Sequence, residues 1–340
     1  MSQIKDVAEA AGVSTATVSR VLSGKPHVRP ELHKRVLAAV EKMNYRPNRV
    51  ARSLRSRKSN IIGLIVSDIQ NPFFTMVSRA VEDIAYEQGM SVFLCNTDEN
   101  PEREAMYLHL MRDENVAGFI LSPTRQTADT FPEAVPHDIP MVIIDRRVHG
   151  GDVDTVLIDN VESSFRLVKH LINHGRRRIG ALVGEGSTTG RERREGYLLA
   201  HKESGIKPAS DLNLFVPARE EDGYTGAAKL LGLAAPPDAI FASNSLLSAG
   251  AFRALRENGI SLGDGMAFAS FDETIWTPLV ESPVTVIKQP TAEIGRTAIE
   301  LLLKRLKDPG RPTREVILKT ELVIRRSCGC RESGCLNFPA

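Results

Sequence analysis

Apolar positions along the chain change period near residue 60. In residues 1–46 they recur every three or four positions. Ile4, Val7, Ala8 and Ala11 share one face of IKDVAEAA, and Val18, Val21 and Leu22 share one face of TATVSRVL. Gly12 supplies the positive φ that ends the first helix and Ser14 caps the second, so two short helices meet at a tight turn. A third helix takes Pro30 at its first position and runs to about Met43, with Leu32, Val36, Leu37, Val40 and Met43 inward. This is the helix-turn-helix pattern. Beyond residue 60, continuous apolar runs at 61–66, 91–95, 117–121, 141–144, 155–158, 179–183, 239–242, 266–271 and 284–287 alternate with helical patterns at 73–88, 101–114, 161–174, 191–204, 223–231, 245–258 and 291–307. Strands that are apolar on both faces and separated by helices predict parallel sheets in two doubly wound α/β subdomains.

Charge separates the two halves further. The net charge of +2 conceals 13 Lys and Arg against 4 Asp and Glu in residues 1–59, a balance of +9, and 31 against 38 in the remainder, a balance of −7. A basic head on an acidic body points to a polyanion partner for the head. In a helix-turn-helix the second helix enters the major groove, which places Thr15, Ala16 and Arg20 at base edges and Ser14, Thr17 and Ser19 near phosphates. Arginine chelates guanine, and the Thr and Ala methyls touch thymine methyls.

Between head and body lies NRVARSLRSRKSN (48–60), where Val50, Ala51 and Leu54 form an apolar stripe among arginines. Pro47 stops the preceding helix and Asn48 is a fair cap, so 48–55 predicts a helix of about two turns, too short to persist alone in water. Two copies in a dimer can pack Val50 and Ala51 together while Arg52 and Arg55 hold phosphates and Leu54 wedges between stacked bases. Without DNA the same segment reads as a disordered basic linker.

Two stretches carry a specific resemblance. IKDVAEAAGVSTATVSRVLSG and YRPNRVARSLRSRKSNIIGLIVSDIQNPFF resemble the N-terminus, hinge and first core strand of LacI-family transcription regulators, and the likeness extends over essentially the whole chain. It implies a helix-turn-helix headpiece at 1–46, a hinge at 47–59 and a periplasmic-binding-protein-like core at 60–327, followed by a tail at 328–340. The implied core has an N-subdomain of about 60–159 and 290–318, a C-subdomain of about 160–289 and 319–327, and three crossing segments as its hinge. It also implies a homodimer on a pseudo-palindromic operator, with Leu54 inserted in the minor groove.

Ligands of doubly wound folds bind beyond the carboxyl ends of strands. Phe73 and Phe74 follow the first strand, where aromatic faces could stack on a sugar, with one of the two expected in the core. Asp159-Asn160 ends another strand and reads equally as a helix cap or a ligand contact. The resemblance implies cleft roles for Asp145, Arg146, Thr189, Arg193, Arg219, Asn244 and Asp272. The family often has Asn-Asp where this chain has Asn244-Ser245, which removes a carboxylate there. Arg146, Arg193 and Arg219, with Arg147 possible, exceed what a neutral sugar needs, unless Arg146 and Arg219 reach across to surface carboxylates instead. The expectation is therefore an anionic carbohydrate, first a sugar acid such as gluconate or a ketogluconate and second a sugar phosphate, whose binding releases DNA; the opposite, corepressing sign stays open.

Other functions lack support. GEGSTTG (184–190) departs from the dinucleotide-binding spacing, and the NTPase, zincin and hydrolase motifs are absent from the sequence. No nucleophile–base pair stands out, so no catalytic residue and no cofactor is expected. No apolar run approaches membrane-spanning length, and the N-terminus has acidic residues early and no apolar signal region, so a cytoplasmic protein is expected. A solute-binding protein on the same architecture is the rival reading, which residues 1–46 contradict. Cys328, Cys330 and Cys335 lack standard zinc spacing and read as an exposed, oxidation-prone tail rather than a metal site.

Overall fold

A computed structural model describes residues 3–22, 28–45, 59–131, 133–136 and 138–330. Arg52, Leu54, Arg55 and Cys335 lie outside the described residues. The chain divides into two compact units, 1–59 and 60–340.

The first unit holds α1 (Ile4–Ala10), α2 (Thr15–Leu22) and α3 (Pro30–Lys42). Val7, Ala8, Ala11, Val18, Val21, Val36 and Ala39 form its core. Gly12 turns the chain at φ 60°, and Arg35 of α3 donates from Nη2 to the Ala11 carbonyl at 2.6 Å, fastening the turn to the third helix. Leu37 was expected inward but is 45% exposed; Ala39 takes the buried position instead.

The second unit contains two six-stranded sheets. The first has β1 (Ile61–Val66), β2 (Ser91–Asn96), β3 (Gly118–Leu121), β4 (Met141–Ile144), β5 (Asp154–Ile158) and β11 (Glu315–Leu318), in the order β11-β5-β4-β3-β1-β2, all parallel. The second has β6 (Ile179–Glu185), β7 (Asn213–Pro217), β8 (Ala239–Ala242), β9 (Ala267–Phe271), β10 (Thr285–Lys288) and β12 (Glu321–Val323), in the order β12-β10-β9-β8-β6-β7. Only β12 runs antiparallel, against β10. Helices α4 (Pro72–Glu87), α5 (Pro101–Asp113), α6 (Arg125–Thr130) and α11 (Thr291–Lys307) belong with the first sheet. Helices α7 (Asn160–Asn173), α8 (Thr188–Glu203), α9 (Glu220–Leu231) and α10 (Ser245–Glu257) belong with the second. The central strands are buried along their length because helices cover both faces.

Close helix approach rests on glycine. A Cβ on Gly196 would sit 2.2 Å from the Val161 carbonyl, and one on Gly250 would sit 1.8 Å from that of Glu220, so α7–α8 and α9–α10 pack backbone to backbone there. The chain passes between the sheets three times, from β5 to α7, from β10 to α11 and from β11 to β12. Ser163 Oγ and Thr320 Oγ1, 2.8 Å apart, tie the first crossing to the third. At the start of β5 the fully buried Asp154 carboxylate accepts from Arg305 (3.0 and 3.1 Å), Arg311 (2.6 Å) and the Arg314 backbone (2.9 Å), locking α11 and the approach to β11 onto the first sheet.

One expectation about the tail is corrected. Cys328 is not exposed: it ends a short 3-10 turn (Arg326–Cys328), is fully buried and belongs to the main hydrophobic core. Among the described residues no helix is long and apolar enough to cross a membrane.

Candidate functional site

On α2, Thr15, Ala16 and Arg20 are exposed, while Val18 and Val21 face the core. Ser14 Oγ accepts from the Thr17 backbone N at 3.2 Å and lies 3.0 Å from Thr17 Oγ1, so its hydroxyl caps the helix that carries the exposed residues. Ser19 is half-buried beside them.

In the second unit, charged side chains converge at the carboxyl ends of strands. Asp145 follows β4 and Asp272 follows β9, and both adopt left-handed backbone, at φ 68° and 75°. Asp98 and Glu99, just beyond β2, do the same at φ 50° and 57°. Such conformations cost a non-glycine residue energy and persist where surrounding structure enforces them. Asp145 comes from the first sheet, and Asp272 and Arg193 from the second. Yet the charges of Arg193 and Asp272 both act on the Asp145 carboxyl, so the three groups lie near one another at the carboxyl ends of the two sheets.

Arg193 is 5% exposed and held on three sides. Its Nε donates to Asn160 Oδ1 at 2.8 Å, its Nη1 donates to the Ser243 carbonyl at 2.7 Å, and its guanidinium lies 3.8 Å from the centre of the Phe271 ring. Burial pushes the Arg193 pKa down, against the pull of Asp272 and Asp145. Asn160 in turn donates to Glu192 at 2.8 Å. Asp272 accepts from Gln289 Nε2 at 2.5 Å. Burial pushes the Asp145 carboxyl up despite Arg146 and Arg193, and raises Asp68 at the end of β1, where Arg219 opposes the shift.

The structure corrects the arginine count. Arg146, 3% exposed, is spent inside its own lobe: both of its terminal nitrogens pair with Glu99, Nη1 also donates to the Pro123 carbonyl at 2.7 Å, and Nε lies 3.5 Å from Asp145. Burial works against the Arg146 charge, yet Glu99 and Asp145 hold its pKa above the ordinary arginine value. Arg147 is half-exposed and pairs with Glu315 at 2.5 Å. Arg219 is exposed at the N-terminus of α9, coupled to Asp68. Asp68, Glu99, Asp145 and Asp272 thus outnumber Arg146, Arg193 and Arg219 by one.

Other expected contact residues also carry structural roles. Phe73 and Phe74, 3% and 4% exposed, pack edge to face at 4.9 Å within the hydrophobic core, so core packing is the role the structure supports for both rings. Asn244 caps α10 through Leu247 N at 2.8 Å, and Asp159 caps α7 through Glu162 N at 2.8 Å. Thr189 is buried in the first turn of α8, where its hydroxyl donates to Ser187 at 3.2 Å. Glu99 and Gln289 were missed in the sequence. Each is a polar residue just past a strand end, the same signal that singled out Asp145. Direct bonds join the lobes near the site, from Ser245 Oγ to Asn71 Oδ1 at 2.9 Å and from Arg191 Nη2 to Asp129 Oδ1 at 3.2 Å.

Comparison with known proteins places this geometry. Residues 3–48 match the bacterial regulatory proteins of the lacI family, and residues 168–328 match the periplasmic binding protein-like domain. The chain is 33% identical over 333 residues to the HTH-type transcriptional repressor PurR of Pasteurella multocida, covering 97% of this chain and all of that one. The Lac repressor dimer bound to operator and the anti-inducer ONPF superposes with a TM-score of 0.83 at 26% identity, over 96% of this chain and 99% of that one. The complex of the transcriptional regulator CelR with cellobiose superposes with a TM-score of 0.71 at 27% identity, over 96% of this chain and all of that one.

Proposed function

The chain belongs to the LacI family of bacterial regulatory proteins, and from that premise we propose that it represses transcription as a cytoplasmic homodimer on a pseudo-palindromic operator and leaves DNA when a neutral, hydroxyl-rich sugar fills the cleft. Thr15, Ala16 and Arg20 read base edges, with Ser14, Thr17 and Ser19 toward phosphates. Arg52 and Arg55 hold the backbone of the minor groove while Leu54 enters it. Two-fold protein symmetry matches two-fold DNA symmetry.

Exposed apolar side chains support the dimer. Strand β2 is a sheet edge that presents Phe93 and Leu94, with Met106 and Leu110 of α5 also exposed, at 40–54%. Monomers seldom leave a sheet edge so apolar, and a second copy is the occupant that an operator of repeated half-sites requires.

The observation that carries the effector reading is the carboxylate surplus around Arg193. Asp145 and Asp272 accept hydrogen bonds from hydroxyls, and Arg193 donates one that is already oriented. An anion would meet Asp68, Glu99, Asp145 and Asp272. A sugar acid such as gluconate or a ketogluconate is the second reading, favoured by the exposed Arg219, which could meet a terminal carboxylate at the cleft mouth. The same residues suggest how binding is transmitted. Asn160 and Gln289 sit on two of the three crossing segments, and they bond Arg193 and Asp272. A ligand that draws on Arg193 and Asp272 therefore acts on the segments that set the lobe angle.

Gel shifts test the DNA half. A palindromic duplex selected from a random pool should be bound as a dimer with affinity falling steeply in salt, and a single half-site should bind at least roughly 100-fold more weakly. Leu54→Ala should reduce both operator affinity and DNA bending while sugar binding is retained. Equal affinity for half-site and palindrome, or unchanged bending in the variant, contradicts the reading.

A further inference from the structure

The last turn of α7 carries His170, which is fully buried with no hydrogen-bond partner on either ring nitrogen. An unpartnered polar group in a core is costly, so what the ring faces matters. It faces sulfur. One His170 ring nitrogen and the Sγ atoms of Cys328 and Cys330 all lie within 4.8 Å of one another. The two sulfurs are 3.2 Å apart, and the buried Cys328 thiol also reaches the Arg325 carbonyl at 3.1 Å. His174 packs against the His170 ring at 4.3 Å, its own Nδ1 engaged with the His170 carbonyl. Burial pushes the His170 imidazole down to about 4, with His174 adding to the shift, so the ring is in the neutral form that ligates metals. Cys328 is a free thiol, whereas Cys330 is disulfide-bonded.

We propose that His170, Cys328 and, once its disulfide is reduced, Cys330 form a binding site for a soft divalent cation of the zinc type. Thiolate sulfur and neutral imidazole are the donors such ions prefer, and three of them already converge from two separate segments of the chain. The disulfide makes the site conditional. A dithiol reductant breaks the S–S bond, passing two electrons and two protons to the protein cysteines and leaving as its own disulfide. The metal then forms bonds to Cys328 and Cys330 as their thiol protons leave to solvent, while His170 ligates without losing a proton. With Cys330 oxidised, one thiolate is missing and the ion is not held. The site lies apart from Arg193 and Asp272, so it does not depend on the sugar reading.

Cobalt titration of the full chain tests this. The protein is reduced with a phosphine, freed of reductant, and titrated anaerobically with Co2+. Thiolate-to-cobalt charge-transfer absorption should rise to saturation at one equivalent and vanish on adding Zn2+. Oxidised protein should give no band. Cys328→Ser and His170→Gln should each weaken binding at least about tenfold. Zn2+ should also shift the His170 imidazole resonances of reduced wild-type protein, a measurement that needs no variant to fold. Absence of the band in reduced protein overturns the proposal. So does a band that is indifferent to both substitutions, or unmoved His170 resonances at saturating Zn2+.

Discussion

Replacing Arg193 with Met removes the effector response while operator affinity stays within a few-fold of wild type. Methionine keeps apolar contact over Phe271 but deletes the donors that reach Asn160 and the Ser243 carbonyl and the charge that balances Asp145 and Asp272. Truncating one member of a buried, hydrogen-bonded charge cluster costs about 2–5 kcal/mol of binding, so sugar affinity should fall by roughly 30-fold or more. The headpiece, a separate compact unit, keeps its core and its exposed α2 face. Calorimetry of sugar binding beside a gel shift checks both halves. Wild-type sugar affinity in Arg193→Met would show that the cleft lies elsewhere.

Asp154→Ala should strongly destabilise the second unit. Its carboxylate has no exposure and accepts from Arg305 and Arg311, whose side chains are only 13% and 12% exposed. Removing it leaves two guanidiniums close to the core without their partner, a loss of about 3–5 kcal/mol. Since those arginines tie α11 and the segment before β11 to the first sheet, the lobe that receives the returning crossing loosens. Urea denaturation should show a lower midpoint. A midpoint matching the wild type would mean that the arginines are satisfied without Asp154.

Much of this was legible in the sequence, for physical reasons. The central strands are buried on both faces, so Ile61–Val66 or Met141–Ile144 stand out as unbroken apolar runs. The strands missed are the edges. β7, β11 and β12 alternate between partly buried and exposed positions, are three to five residues long, and carry Glu or Pro. The short α6 was missed because Thr124 caps it and a buried Glu104 from α5 accepts from Thr124 N, an arrangement invisible without the tertiary structure. The same limit applied in the cleft. The sequence pointed to both Arg146 and Arg193 as cleft cations, but whether an arginine is free depends on what folds beside it. Glu99, 47 residues earlier in the chain, meets Arg146, whereas Arg193 meets an amide, a carbonyl and a ring.

The most direct test of the central claim is the fluorescence anisotropy of a labelled palindromic operator with the full-length protein, titrated with a panel of neutral sugars, sugar acids, sugar phosphates and purines. The account predicts that at least one neutral sugar releases the operator, that Arg193→Met is not released by it, and that release is saturable. If no neutral sugar alters operator affinity while a sugar acid, phosphate or purine does, the reading of the carboxylate-rich cleft is contradicted.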